Sequence, residues 1–122
     1  MLLTWTDSIK ADIQTAEILM GTAEFVVFFQ QCIKIISKTL QHFIYVSTNN
    51  FPEEESLEFL FNLSVSVDGK LAAYTIGIQE FETIQQNFIN SHICDVPEGS
   101  TRSNYLDFCN EFFSFILKRL KQ

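Results

Sequence analysis

Four polar residues in the last fifth of the chain, Ser103, Asp107, Asn110 and Ser114, are spaced i, i+4, i+7 and i+11. On a helix that spacing sets them along one edge. A carboxylate and a carboxamide one turn apart, flanked by two hydroxyls, offer both donors and acceptors, so this edge could touch a ligand. The same four residues also suit the solvated border of an amphipathic helix, a common arrangement that needs no ligand. The element that must carry them is residues 103–122. There Leu106, Cys109, Phe113, Ile116, Leu117 and Leu120 fall within an arc of roughly 100°, the stripe that a helix buries.

Written as a pattern, Ser103, Asp107 and Asn110 spell S-x3-D-x2-N. This resembles the [D/S]-x3-E-x2-N signature of the CheC/CheX/FliY family of response-regulator phosphatases, with Asp in the place of that family's Glu. The resemblance implies that Asp107 docks on the active-site Lys of a phosphorylated CheY-like response regulator. It implies that Asn110 orients the water that attacks the aspartyl phosphate, with Ser103 and Ser114 flanking the contact on the partner-binding edge. No cofactor is expected in this chain, because the magnesium ion would be carried by the response regulator. A loose phosphoryl-transfer transition state asks more of positioning than of covalent chemistry, which suits an acid and an amide held one turn apart.

The elements upstream are read from periodicity. Residues 1–20 fit a helical face through Leu2, Trp5, Ile9, Ile13, Ala16 and Met20, while Ile9, Ala11 and Ile13 also fit a strand; a helix from about residue 8, with Gly21 as the break, is the favoured reading. From residue 22 to about 41, Phe25, Phe29, Cys32, Ile33, Ile36 and Leu40 share one face of an amphipathic helix, with Gln30, Lys34, Lys38 and Gln41 opposite. Residues 43–48 are β-branched and aromatic and read as a short strand ended by Asn49, Asn50 and Pro52. Glu53, Glu54 and Glu55 read as a solvated acidic turn.

The central expectation is a hairpin. Leu57, Phe59, Phe61, Leu63, Val65 and Val67 alternate with Glu58, Asn62, Ser64 and Ser66, the pattern of a half-buried strand. Asp68-Gly69 follows, a favoured type I′ turn, and pairing through it sets Phe61 opposite Ile76 and Phe59 opposite Ile78. After this hairpin of 57–67 and 70–78 come a short helix at about 80–90, a turn at Pro97 to Ser100, and the last helix. Arg102 reads as a solvated loop residue. The sum is a single α+β domain over 1–122, an antiparallel sheet packed against long amphipathic helices. Over roughly residues 23–120 this order of elements resembles the first part of the CheX fold.

Composition narrows the function classes. With 47% hydrophobic and 19% charged residues in 122, the chain is expected to form one globular core. A net charge of −7 argues against nucleic-acid and anionic-membrane surfaces. Thirteen Phe are a heavy load, and Phe108, Phe112 and Phe115 lie off the main stripe of the last helix, so a homodimer that buries them between subunits is expected. Cys32, Cys94 and Cys109 form no even framework and follow no leader pattern, which reads as reduced thiols in a cytoplasm. His42 and His92 lack neighbours at metal-ligand spacing, so no metal site is expected. The longest apolar run, residues 25–29, is far short of the roughly 20 residues that span a bilayer.

Two function classes follow. One is a CheX-like enzyme or binder of a phosphorylated response regulator. The other is a non-catalytic interaction module, an adaptor or chaperone-like small dimeric protein. A nucleotide-binding enzyme ranks third, since four Gly supply no phosphate-cradling loop.

Overall fold

The computed structural model describes residues 2–22, 24–53, 56–91 and 102–120, with side chains of 5–22, 24–53, 56–87 and 102–120. In order they form α1 (Leu2–Thr22), α2 (Phe25–Thr48), α3 (Leu57–Val67), a 3-10 segment (Gly69–Tyr74), α4 (Thr75–Ser91) and α5 (Arg102–Leu120). There is no strand among the described residues. The expected α+β architecture is therefore replaced by a helical bundle, and the sheet, the hairpin and the strand at 43–48 are all corrected.

The bundle is built on α2, which packs against α1, α3 and α5. A helix enclosed on three sides needs apolar residues on more than one stripe, and α2 buries Phe28, Phe29, Cys32, Ile33, Ile35, Ile36, Leu40, Phe43 and Ile44. Phe43 and Ile44 continue the helical period of Ile36 and Leu40. Tertiary burial thus outweighs the local β preference of the 43–46 run. The helix ends at Asn49, whose N–H still bonds the Tyr45 carbonyl while its left-handed backbone (φ 64°) turns the chain out of the helix.

Leu60 decides the state of residues 57–67. It falls on the polar side of the strand alternation, yet at i+3 from Leu57 it completes a helical face with Phe61 and Ser64, all four buried. Leu60 is 0% exposed, whereas Phe59 is 46% exposed. Ser56 caps the helix, its Oγ accepting from the Phe59 N–H at 3.4 Å. Ser64 Oγ donates to the Leu60 carbonyl at 2.8 Å, which satisfies a buried hydroxyl.

Asp68-Gly69 is a junction between helices rather than a hairpin turn. The Asp68 N–H bonds the Ser64 carbonyl and closes α3. Its Oδ1 accepts from the Lys70 N–H at 3.1 Å and opens the 3-10 segment, while Oδ2 takes Arg119 at 2.6 Å. Beyond it Leu71, Ile78, Phe81 and Ile84 are buried at helical spacing, and Ile76, expected on the sheet's apolar face, is 81% exposed.

Around this core α1 inserts Ile9, Ile13 and Ala16. Its polar flank is tied to α2 where Lys38 Nζ donates to Asp12 Oδ2 at 2.7 Å and Ser8 Oγ at 2.9 Å. Arg102, expected to be solvated, donates to the terminal carbonyls of α1 at Met20 (3.2 Å) and Leu19 (3.4 Å) and lies 5.9 Å over the Phe28 ring. Cys32 and Cys109 are buried free thiols, as expected of small core hydrophobes. Their mutual contact first, and burial second, push the Cys109 thiol well above its usual range. His92, Cys94, Glu54, Glu55 and the turn at Pro97 to Ser100 lie outside the described residues.

Phe108, Phe112 and Phe115 find partners within the chain. Tyr74 meets them at ring distances of 5.9, 5.2 and 5.0 Å, and Phe81 lies 5.3 Å from Phe108. The off-stripe rings therefore need no second subunit to cover them. Among the described residues no helix is long and apolar enough to cross a membrane.

Candidate functional site

Helix α5 carries the polar edge as its sequence implies. Ser103, Asp107 and Ser114 are exposed and Asn110 is half-buried along it. Asn110 and Ser114 also line a shallow groove of about 390 Å³ with Tyr74, Glu111, Phe115 and Lys118. Asp107, one turn away, does not line it, so the groove joins the amide to a phenol and an ion of each sign but not to the acid of the motif. Burial first, and the Glu111 charge second, push the Tyr74 phenol above its usual value, which keeps it a hydrogen-bond donor and no base. These groups can hold a polar ligand by hydrogen bonds, but the groove does not include Asp107, the acid expected to dock on a partner's Lys beside Asn110.

A second surface, which the alternation of residues 57–67 concealed, lies where α2 ends and α3 begins. There the left-handed turn at Asn49 drops the chain from α2 into residues 50–53, leaving Phe51 50% exposed beside exposed Tyr45. Phe51 leans on Tyr45 at 6.2 Å and on Trp5 at 5.9 Å. Beside it a groove of about 290 Å³ is lined by Ile44, Thr48, Asn50, Pro52, Glu53, Phe59 and Leu63. Exposed apolar rings grouped around a concavity, rather than scattered singly, mark a surface that meets another molecule.

The floor of this groove is mostly apolar. Thr48 Oγ1 donates to the Ile44 carbonyl at 2.7 Å and accepts the Asn50 N–H at 3.2 Å, so this hydroxyl at its edge is already satisfied. Exposed Glu53 lines its rim, whereas Glu58 lies toward α4, where burial first and the Glu58 charge second raise the Glu82 carboxyl. The signal that finds this site in the sequence is Leu60. Once that residue is turned inward on a helix, Phe59 must turn outward.

Among the described residues no group of three His, Cys, Asp or Glu side chains is arranged to hold a metal ion. No family model, curated protein or solved structure matches the chain.

Proposed function

We propose that this chain is a non-catalytic protein-interaction module that binds through the apolar groove between α2 and α3. The observation that carries the reading is a mostly apolar groove lined by exposed Phe59 with Ile44 and Leu63, with the exposed rings of Tyr45 and Phe51 next to its Asn50 and Pro52 edge. A large apolar side chain beside a mostly apolar pocket is the usual hot-spot arrangement of a protein interface. The module works in a reducing compartment, where Cys32 and Cys109 stay as thiols. A phosphatase reading retains only the three-position motif of Ser103, Asp107 and Asn110, because the sheet that matched the rest of the resemblance is absent among the described residues.

Two experiments test this. Selection of displayed peptides on the full chain, with Phe59→Ser as counter-selection, is expected to yield peptides that require Phe59; a selection yielding none refutes the module. Mixing the chain with a phosphorylated response regulator is expected to release no phosphate beyond the regulator's own rate. Phosphate loss that Asn110→Ala abolishes, with the fold intact, would make the chain an enzyme instead.

A further inference from the structure

We infer that a groove between α2 and α4 binds a short acidic segment of a partner protein, laid extended along α2 with a carboxylate on Lys34 and Lys38. The groove measures about 520 Å³ and is lined by Gln30, Lys34, Ser37, Lys38 and Gln41 of α2 with Gln85 of α4, and no acidic residue lines it. It shares no residue with the α2–α3 groove and is a second contact surface, independent of the one proposed above. In a chain of net charge −7 this lining is the exception. The grooves at Tyr74, Gln79, Phe59 and Gly77 each include a glutamate, namely Glu111, Glu82, Glu53 and Glu80.

Asp12 does not use up the two lysines. Lys38 Nζ donates to Asp12 Oδ2 at 2.7 Å and to Ser8 Oγ at 2.9 Å, which leaves the third of its N–H groups for a ligand. Lys34 Nζ stands 3.8 Å from Asp12 Oδ1, beyond hydrogen-bond reach, and its side chain is 54% exposed where that of Asp12 is 14% exposed. Two ammoniums over one covered carboxylate leave a positive charge facing outward. Around them the side chains of Gln30, Ser37, Gln41 and Gln85 take no hydrogen-bond partner among the described residues. Thr39 on the same helix, by contrast, donates its hydroxyl to the Ile35 carbonyl at 2.7 Å. Amides that both donate and accept suit the N–H and C=O groups of an extended backbone. From Gln30 to Gln41 the lining runs about 16 Å along α2, the length of about five extended residues. An open trough of that length fits a peptide segment better than a small molecule, which a pocket would enclose. A nucleic acid would meet the charge of the whole protein, whereas a segment with one or two acids meets the local lysines.

The test uses fluorescently labelled synthetic peptides of about nine residues that differ only at the centre, where one carries Asp and Glu, one Asn and Gln, and one Lys. By fluorescence anisotropy with the full chain, the acidic peptide is expected to bind about fivefold or more tighter than the amide peptide, and the Lys peptide weakest. That advantage is expected to shrink as salt rises from about 50 mM to about 500 mM, because Lys34 is open to screening. Lys34→Gln is expected to remove most of it with the circular dichroism unchanged, and Lys70→Gln, an equal loss of charge at a residue outside the groove, to leave it in place. Equal binding of the acidic and amide peptides, or no binding of the acidic peptide up to about 1 mM, overturns the inference. An equal loss in Lys34→Gln and Lys70→Gln overturns it as well, since the attraction would then be general. Tighter Lys34-dependent binding of inorganic phosphate or of a short single-stranded oligonucleotide gives the site to another anion, and a sedimenting dimer that Lys34→Gln dissociates gives it to a second copy; either result overturns the inference. The displayed-peptide selection decides the α2–α3 groove separately.

Discussion

Replacing Gly77 by Ala probes how α4 meets α5. At an open position in a helix this exchange stabilises by about 1 kcal/mol, because Gly is the poorer helix former. Here a Cβ on Gly77 would run into the edge of the Phe108 ring, 2.7 Å from Cζ and 2.9 Å from Cδ2, with Cε2 closer still. The ring has little room to give way. It stacks on Phe112 at 6.1 Å, tilts against Phe81 at 5.3 Å and meets Tyr74 edge-on at 5.9 Å. Forcing it aside is an overpacking cost of about 1–3 kcal/mol. Set against the gain in helix propensity, Gly77→Ala is expected to leave the fold between unchanged and about 2 kcal/mol less stable. Urea unfolding followed by circular dichroism measures this. In a Phe108→Ala background the obstruction is gone and the same change should stabilise by about 1 kcal/mol, so a double-mutant cycle should return a coupling of about 1–3 kcal/mol. Gly77→Ala that stabilises the otherwise native chain by the full helical amount would show that Phe108 does not sit over Gly77.

Two further outcomes depend on pH. Asp68 is held below the usual carboxylate range, chiefly by its hydrogen bond from Arg119. The stability this pair contributes is present above the ordinary Asp value and is lost as pH falls through the depressed one. Asp68→Asn should therefore melt below the native chain at neutral pH and converge with it in strong acid; parallel melting curves down to about pH 2 would remove the pair from the account. His42 is buried with no partner for Nδ1, its ring stacked on Trp5 at 4.6 Å, and burial lowers it from its ordinary value of 6.5. The fold favours the neutral ring, so that contribution is present above 6.5 and declines as pH falls below it toward the depressed value. Nuclear magnetic resonance of the His42 ring should titrate below 6.5, and a midpoint at or above it would contradict the buried stack.

Periodicity places an element most firmly where its buried stripe has one reading. In α5, Leu106, Cys109, Phe113 and Ile116 repeat at helical spacing, whereas in α1 Ile9 and Ile13 fit a strand as well and Ala16 carries the helical reading. The polar edge of Ser103, Asp107, Asn110 and Ser114 was legible for the same reason. Residues 57–78 have no such single reading. Leu57, Phe59, Leu60, Phe61, Leu63, Val65 and Val67 are dense enough to satisfy both a period of 2 and a period of 3.6, and only Leu60 breaks the tie. Asp-Gly serves equally as a hairpin turn and as a junction that ends one helix and starts the next. The register of the imagined hairpin was coherent because apolar residues abound on both sides of Asp68-Gly69, which a helix pair uses as readily as a sheet. That ambiguity also hid the groove, since Phe59 was assigned inward by one period and is turned outward by the other.

The fold and the groove both turn on the choice between Leu60 and Phe59, and one paired measurement decides it. With α3 helical, Leu60 is fully buried and Leu60→Ala should cost about 2–5 kcal/mol in urea unfolding. Phe59 stands 46% exposed at the groove, and Phe59→Ala should cost far less than the loss of a core Phe, about 1 kcal/mol or below. The reverse order, a severe loss at Phe59 with Leu60→Ala near neutral, would restore the strand, bury the ring that the proposed partner needs, and contradict both the fold and the function argued from it.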